Sequence, residues 1–139
     1  MNPTLALQTA LRGKLLAASQ VTAFIGPAAV FDDVPHGTKC PYLHLGDIET
    51  RDWSTQTRRG HEHIVSLHVW SDYRGRKQAL DIIEAVDGAL DGAGLALTGH
   101  VLVNMSTIFW TVLHELGNGL YHGIMRLRAV TEPNIDQGE

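Results

Sequence analysis

Eight histidines and a single cysteine are the side chains of this 139-residue chain most suited to chemistry. His61-Glu62-His63 is the best-placed set, because imidazoles at i and i+2 of an extended chain share a face, as a zinc site can use. A tetrahedral site needs further ligands, and His44 or His100 would have to fold close by to supply them. The ordinary alternative, and the commoner one, is a pair of histidines on a half-exposed strand beside a loop. His114-Glu115 begins like a zincin helix, but Asn118 stands where the second histidine belongs, and Gly117 and Gly119 break any helix there. Cys40 is followed by Pro41, with no helix N-terminus to lower its pKa, and no Gly-x-Ser-x-Gly occurs. Gly92-Ala93-Gly94 lacks the later glycines and the helix of a phosphate cradle. No nucleophile–base pair emerges. We expect no catalytic residue and no cofactor, with His61 and His63 the weak candidates for a metal-binding module or a metal-dependent enzyme.

Two charged groups of residues suit contact with a partner. In residues 51–60 (RDWSTQTRRG), Arg51, Trp53, Arg58 and Arg59 put an aromatic among arginines, which fits a protein interface or a phosphate backbone. A mobile surface loop is the plain alternative. Further on, Arg74, Arg76 and Lys77 open a helical stretch that carries Asp81, Glu84, Asp87 and Asp91 toward its end. That polarity opposes the helix dipole, which favours acids first and bases last. Lys77 and Asp81 can pair at i,i+4 for about 0.2–0.5 kcal/mol. The two ends, Arg74, Arg76 and Lys77 against Asp87 and Asp91, could meet a neighbour of opposite charge; a merely solvated face is the alternative.

These groups hang on one strand and one helix. His61, His63, Val65, Leu67 and Val69 share a face of an extended segment, with Glu62, Ile64, Ser66, His68 and Trp70 on the other. After Trp70 the period changes to helical, with Ala79, Ile82, Ile83, Val86 and Leu90 on one stripe. Ser71 or Asp72 is expected to cap that helix. Upstream, Leu7, Ala10, Leu11, Leu15 and Ala18 form the stripe of an N-terminal helix that Gly26-Pro27 ends. Val30-Phe31 and 41–50 read as strands, and 51–60 as a loop. Asp91-Gly92-Ala93-Gly94 stops the second helix. Leu95 to Thr98 is a short extended piece, 100–114 a strand rich in β-formers, and 120–131 the returning strand after an Asn118-Gly119 turn. Met125, Leu127 and Ala129 point one way on it, Arg126 and Arg128 the other. The order α-β-β-β-α-β-β implies an α+β fold, a mostly antiparallel sheet with the N-terminal and central helices packed on it.

Length places residues 1–133 in a single domain, with a polar tail at 134–139. A formal charge of −4 gives no global attraction to nucleic acid or to an anionic membrane. The lone cysteine rules out an internal disulfide, Arg12 and Lys14 interrupt any signal-like apolar run, and no stretch nears a membrane span.

Three segments, in order, carry a family resemblance: VFDDVPHGTKCPYLHLGD (30–47), LHVWSDYRGRKQALDII (67–83) and LYHGIMRLRAVTEP (120–133). They resemble the tail-completion (tail-terminator, or tail-to-head joining) proteins of long-tailed phages and gene transfer agents. Residues 51–60 match nothing in that pattern. The resemblance implies a structural virion protein without catalytic residues. It implies a homo-oligomeric ring, usually a hexamer, that caps the tail tube, stops its polymerisation and joins the tail to a head-side connector. The partners so implied are the tail tube protein, the head-side connector or stopper protein, and double-stranded DNA passing through the lumen without sequence recognition. The expected location is the head-proximal end of the tail, after assembly in the bacterial cytoplasm. A general protein-interaction adaptor stays open as a further reading.

Overall fold

The computed structural model describes residues 1–134. Asn2 starts the first helix by accepting from the amides of Thr4 (2.8 Å) and Leu5 (3.4 Å), and Pro3 stands in the first turn, where an amide would have no partner. This helix, α1 (Pro3–Ala17), stops where Ala18 adopts an extended backbone, and α2 (Ser19–Ile25) follows at once. The apolar stripe crosses the break. Leu7, Leu11 and Leu15 are buried from α1, and Val21 and Ile25 extend the stripe from α2.

The strands are β1 (Val30–Phe31), β2 (Tyr42–Asp52), β3 (His61–Ser71), β4 (Ala96–Leu97), β5 (His100–His114) and β6 (Tyr121–Pro133). They form one sheet in the order β1-β2-β3-β6-β5-β4, antiparallel except for the short β1–β2 pairing. With α3 (Lys77–Leu90) between β3 and β4, the architecture is the α+β fold that the periodicities imply. All three helices lie on one face. That face carries Leu43, Leu45, Val65, Leu67, Val69, Met125, Leu127 and Ala129, all buried against Ala79, Ile82, Ile83 and Val86 of α3 and the leucines of α1. Gly123 sets how close α3 can come, since a β-carbon there would stand 3.1 Å from Ile83 Cδ1 and 3.2 Å from Val69 Cβ.

Several expectations are corrected. Neither Ser71 nor Asp72 caps α3. Ser71 is still strand and buried, and its hydroxyl donates to Gln78 Oε1 (2.6 Å) while accepting from the Tyr73 amide. It therefore ties the strand to the first helical turn by a side-chain bond, while Asp72–Arg76 make the bend, with Gly75 at φ +91°. Arg74 and Arg76 consequently precede the helix, with Arg76 at the cap position. The segment 51–60 is not all loop: Arg51 and Asp52 pair with Glu62 and His61 and extend β2. A cross-strand partner decides that extension, which the period of one strand cannot reveal. The β5–β6 connection is longer than a two-residue turn, closed by Glu115 N–H to Leu120 O (2.8 Å) and Gly119 N–H to Glu115 O (2.9 Å). Of the tail expected at 134–139, residues 135–139 lie outside the described residues. No helix among the described residues is long and apolar enough to cross a membrane.

Candidate functional site

The sheet face away from the helices is where the charged and aromatic residues collect. Glu62 of β3 is buried and receives Arg128 Nε at 2.6 Å and Arg51 Nε at 2.5 Å, from the strands on either side. The Arg128 bond foremost, then that of Arg51, holds its carboxyl below the usual range. Both guanidiniums also lie over the Trp53 ring, at 5.1 Å for Arg51 and 5.3 Å for Arg128. The hairpin tip beyond is ordered by its own backbone. Trp53 N–H donates to Gly60 O and Thr55 N–H to Arg58 O, both at 2.8 Å, and the Ser54 hydroxyl donates to Asp52 at 2.6 Å. That last bond lowers the Asp52 pKa. Arg58 pairs with Glu132 of β6 at 2.8 Å. Arg51, Trp53, Arg58 and Arg59 are all exposed, Arg51 and Trp53 in contact and Arg58 tied to β6. The sequence did not show that Glu62, Arg128 and Glu132 hold Arg51, Trp53 and Arg58.

The His61-Glu62-His63 set does not assemble as a metal site. His63 is buried outright, not half-exposed, and both its ring nitrogens meet hydroxyls at 2.8 Å: Nδ1 that of Thr50, Nε2 that of Thr131. Burial first, then nearby His61 and His100, lowers its pKa to about 4. A metal would have to displace one of those bonds. His44 lies elsewhere, near His68, at 5.6 Å between ring centres. No group of three or more His, Cys, Asp or Glu able to hold a metal forms among the described residues. Cys40 is pushed up by burial and then by Asp72, the opposite of an activated thiol.

A second set of histidines went unnoticed in the sequence. His68 Nδ1 and His122 Nε2 are 2.6 Å apart, His122 Nδ1 reaches Glu115 at 3.1 Å, and the His122 ring stacks on Trp70 at 3.9 Å. With His122 Nδ1–H donating to the carboxylate, Nε2 accepts from His68. Burial, then His122, lowers the His68 pKa. Cross-strand register makes this cluster, and no single-strand motif signals it.

The charged groups of α3 are partly engaged within the chain. Lys77 holds Asp81 at 2.6 Å, as the spacing allows, and this raises the lysine's pKa. Arg76 lies over Tyr121 at 5.6 Å, and Asp87 accepts from the Thr107 hydroxyl of β5 at 2.6 Å. Arg74 and Asp91 are exposed.

The least finished surface is β5. Val101, Val103, Ile108, Phe109, Trp110 and Leu113 are each 44–55% exposed, and Leu116 beyond the strand is 90% exposed. Among the described residues only His100 and Val101 pair with β4, and the rest of the strand has an open side. A long apolar edge is a template for pairing with another chain. The arrangement can bind.

A family model described as tail completion protein gp17 matches residues 9–132. Among solved structures, a chain from the virion of a native gene transfer agent (GTA) particle is similar at 30% identity and a TM-score of 0.86, over 94% of this chain and 98% of that one. The gp17 protein of bacteriophage SPP1 shares the fold at 21% identity and a TM-score of 0.59, over 91% and 88% of the two chains. Comparison with curated proteins gives no match.

Proposed function

The chain belongs to the tail completion protein gp17 family, structural proteins of phage and gene transfer agent virions, and on that premise we propose that it closes the head-proximal end of a tail tube as a ring. The ring, of six copies, stops tube polymerisation on one side and receives the head-side connector on the other. Its partners are the tube protein, the connector or stopper, and double-stranded DNA that slides through the lumen. An acidic chain, at −4, suits a duplex that must pass without sticking. It assembles in the bacterial cytoplasm and does its work by shape, without catalysis or cofactor.

The observation that carries this reading is the match, end to end in both chains, to a chain of a gene transfer agent virion. The open apolar side of β5 supports it, because a surface of that kind suits a copy that becomes buried on assembly. We place Arg51, Trp53, Arg58 and Arg59, and the two ends of α3 with Arg74, Arg76 and Lys77 against Asp87 and Asp91, among the contacts with neighbours or partners. Electron microscopy of particles made without this chain tests the proposal. Tubes of irregular length, separate from their capsids, are expected; tubes of normal length already joined to capsids would refute it.

A further inference from the structure

The two sides of the sheet are each open along part of their length. Among the described residues, β1 covers β2 only at Leu43 and His44, leaving Leu45–Asp52 without a strand neighbour on that side, and β4 leaves β5 open from Leu102 onward. A closed ring needs two different patches that fit each other, and one copy of this chain carries both. We propose that the β2 edge of one copy pairs with the β5 edge of the next, so that the sheet continues from subunit to subunit around the ring. This rests on the ring reading above and names the surface that closes it.

Strand direction permits the joint. β2, β3, β6 and β5 alternate, so β2 and β5 run opposite ways. Copies related by rotation about an axis along the strands keep their directions, and the incoming β2 therefore meets β5 antiparallel.

The register places charges at matching levels. Tracing partners across the sheet puts Glu49 level with Ile64, Arg128 and Ser106, and Ile48 level with Val65, Leu127 and Thr107. Asp47 stands in the bulge beside Ser66, whose row continues through Arg126 to Phe109. Arg126 reaches over Phe109 toward the open edge, 5.6 Å from the ring centre. Asp47, Glu49 and Arg126 are exposed, and no salt bridge holds them among the described residues. Joining copies at equal height brings the neighbour's Asp47 beside Arg126, on the same face of the continued sheet. Two β5 edges meeting about a two-fold axis would set the arginines against each other, and two β2 edges would do so with the acids. Only the unlike pairing matches charge, and only it uses both edges. The register break at Gly46-Asp47 in β2 and the second of the two breaks in β5, at Ile108, also fall at one level. Past them the neighbour's β1 would stand beside Thr111 and Val112.

The test places a photoreactive benzoylphenylalanine at position 106 of the full chain, in cells that assemble the particles from a mixture of light and nitrogen-15 copies. Cross-linked peptides joining position 106 of one copy to residues 46–52 of another are expected. Arg126→Asp should cut their yield about tenfold, and adding Asp47→Arg to the same chain should restore it. If the chain is in the particles but the cross-links lead to another protein or to a segment of a second copy outside both edges, the edge pairing is wrong while the ring reading stands; links from position 106 to β5 of a second copy would mark a two-fold contact and overturn both. If the folded chain is missing from the particles altogether, the ring reading falls and takes the pairing with it.

Discussion

Thr50 and Thr131 hold the His63 ring between two hydroxyls with no water access, a setting that favours the neutral imidazole. Its pKa is about 4 in the fold against an ordinary 6.5. The unfolded chain takes up a proton below the ordinary value and the folded one resists it. The stabilisation is therefore complete above that value and is lost as pH falls toward 4, about 3 kcal/mol at most on a scale of ~1.4 kcal/mol per unit. Urea midpoints measured between pH 7.5 and 4.5 should fall accordingly. His63→Gln should flatten the slope, leaving a remainder from His68, whose pKa is lowered in the same direction. An unchanged slope in that variant would assign the pH dependence to other groups. The Glu62 carboxylate tells a related story with charge retained: buried, it keeps two guanidiniums in place, and these in turn fix Trp53.

At the scale of elements, the β3–α3 unit organises the core. From His63 onward β3 alternates, with Val65, Leu67 and Val69 buried, and α3 lays Ala79, Ile82, Ile83 and Val86 over them. The helix lies close enough that a methyl group on Gly123 would crowd Ile83 and Val69 by a few tenths of an ångström. Gly123→Ala should destabilise the chain by about 1–3 kcal/mol, as overpacking does, read as a lower denaturation midpoint. Leu80, exposed on the same helix, provides the control: Leu80→Ala should move the midpoint little. The helix polarity is less anomalous in the fold than in the sequence. Asp87 bonds Thr107 of β5, and Lys77 and Asp81 satisfy each other.

For the whole molecule, the distinction that matters is between charge used to hold the fold and charge left for assembly. Arg58 pairs with Glu132 through side chains 68% and 28% exposed, so the bond contributes only about 0.2–1 kcal/mol. Arg59 forms no salt bridge among the described residues. Replacing both, Arg58→Glu with Arg59→Glu, should leave the melting curve nearly in place while incorporation into particles falls. Undiminished incorporation would take the hairpin out of the contact surface. Asp47, Glu49 and Arg126 belong to the same unspent class, on the two edges proposed to join.

Periodicity was enough for the α+β class and for the faces of β3, α3 and β6, and the content of β-formers for the span of β5. A strand or helix that buries one side must repeat at its own pitch, and that repeat is written locally. That Arg51 and Trp53 meet was legible for a similar reason, since they are close in the chain. What tertiary structure decided is everything that depends on register between distant strands. His63 is held by Thr50 and Thr131, 13 and 68 residues away. The His68–His122 pair spans 54 residues, and the Arg128–Glu62 bond 66. Where strands meet is fixed by the joint burial of the whole core, so no segment read by itself carries the address of its partner.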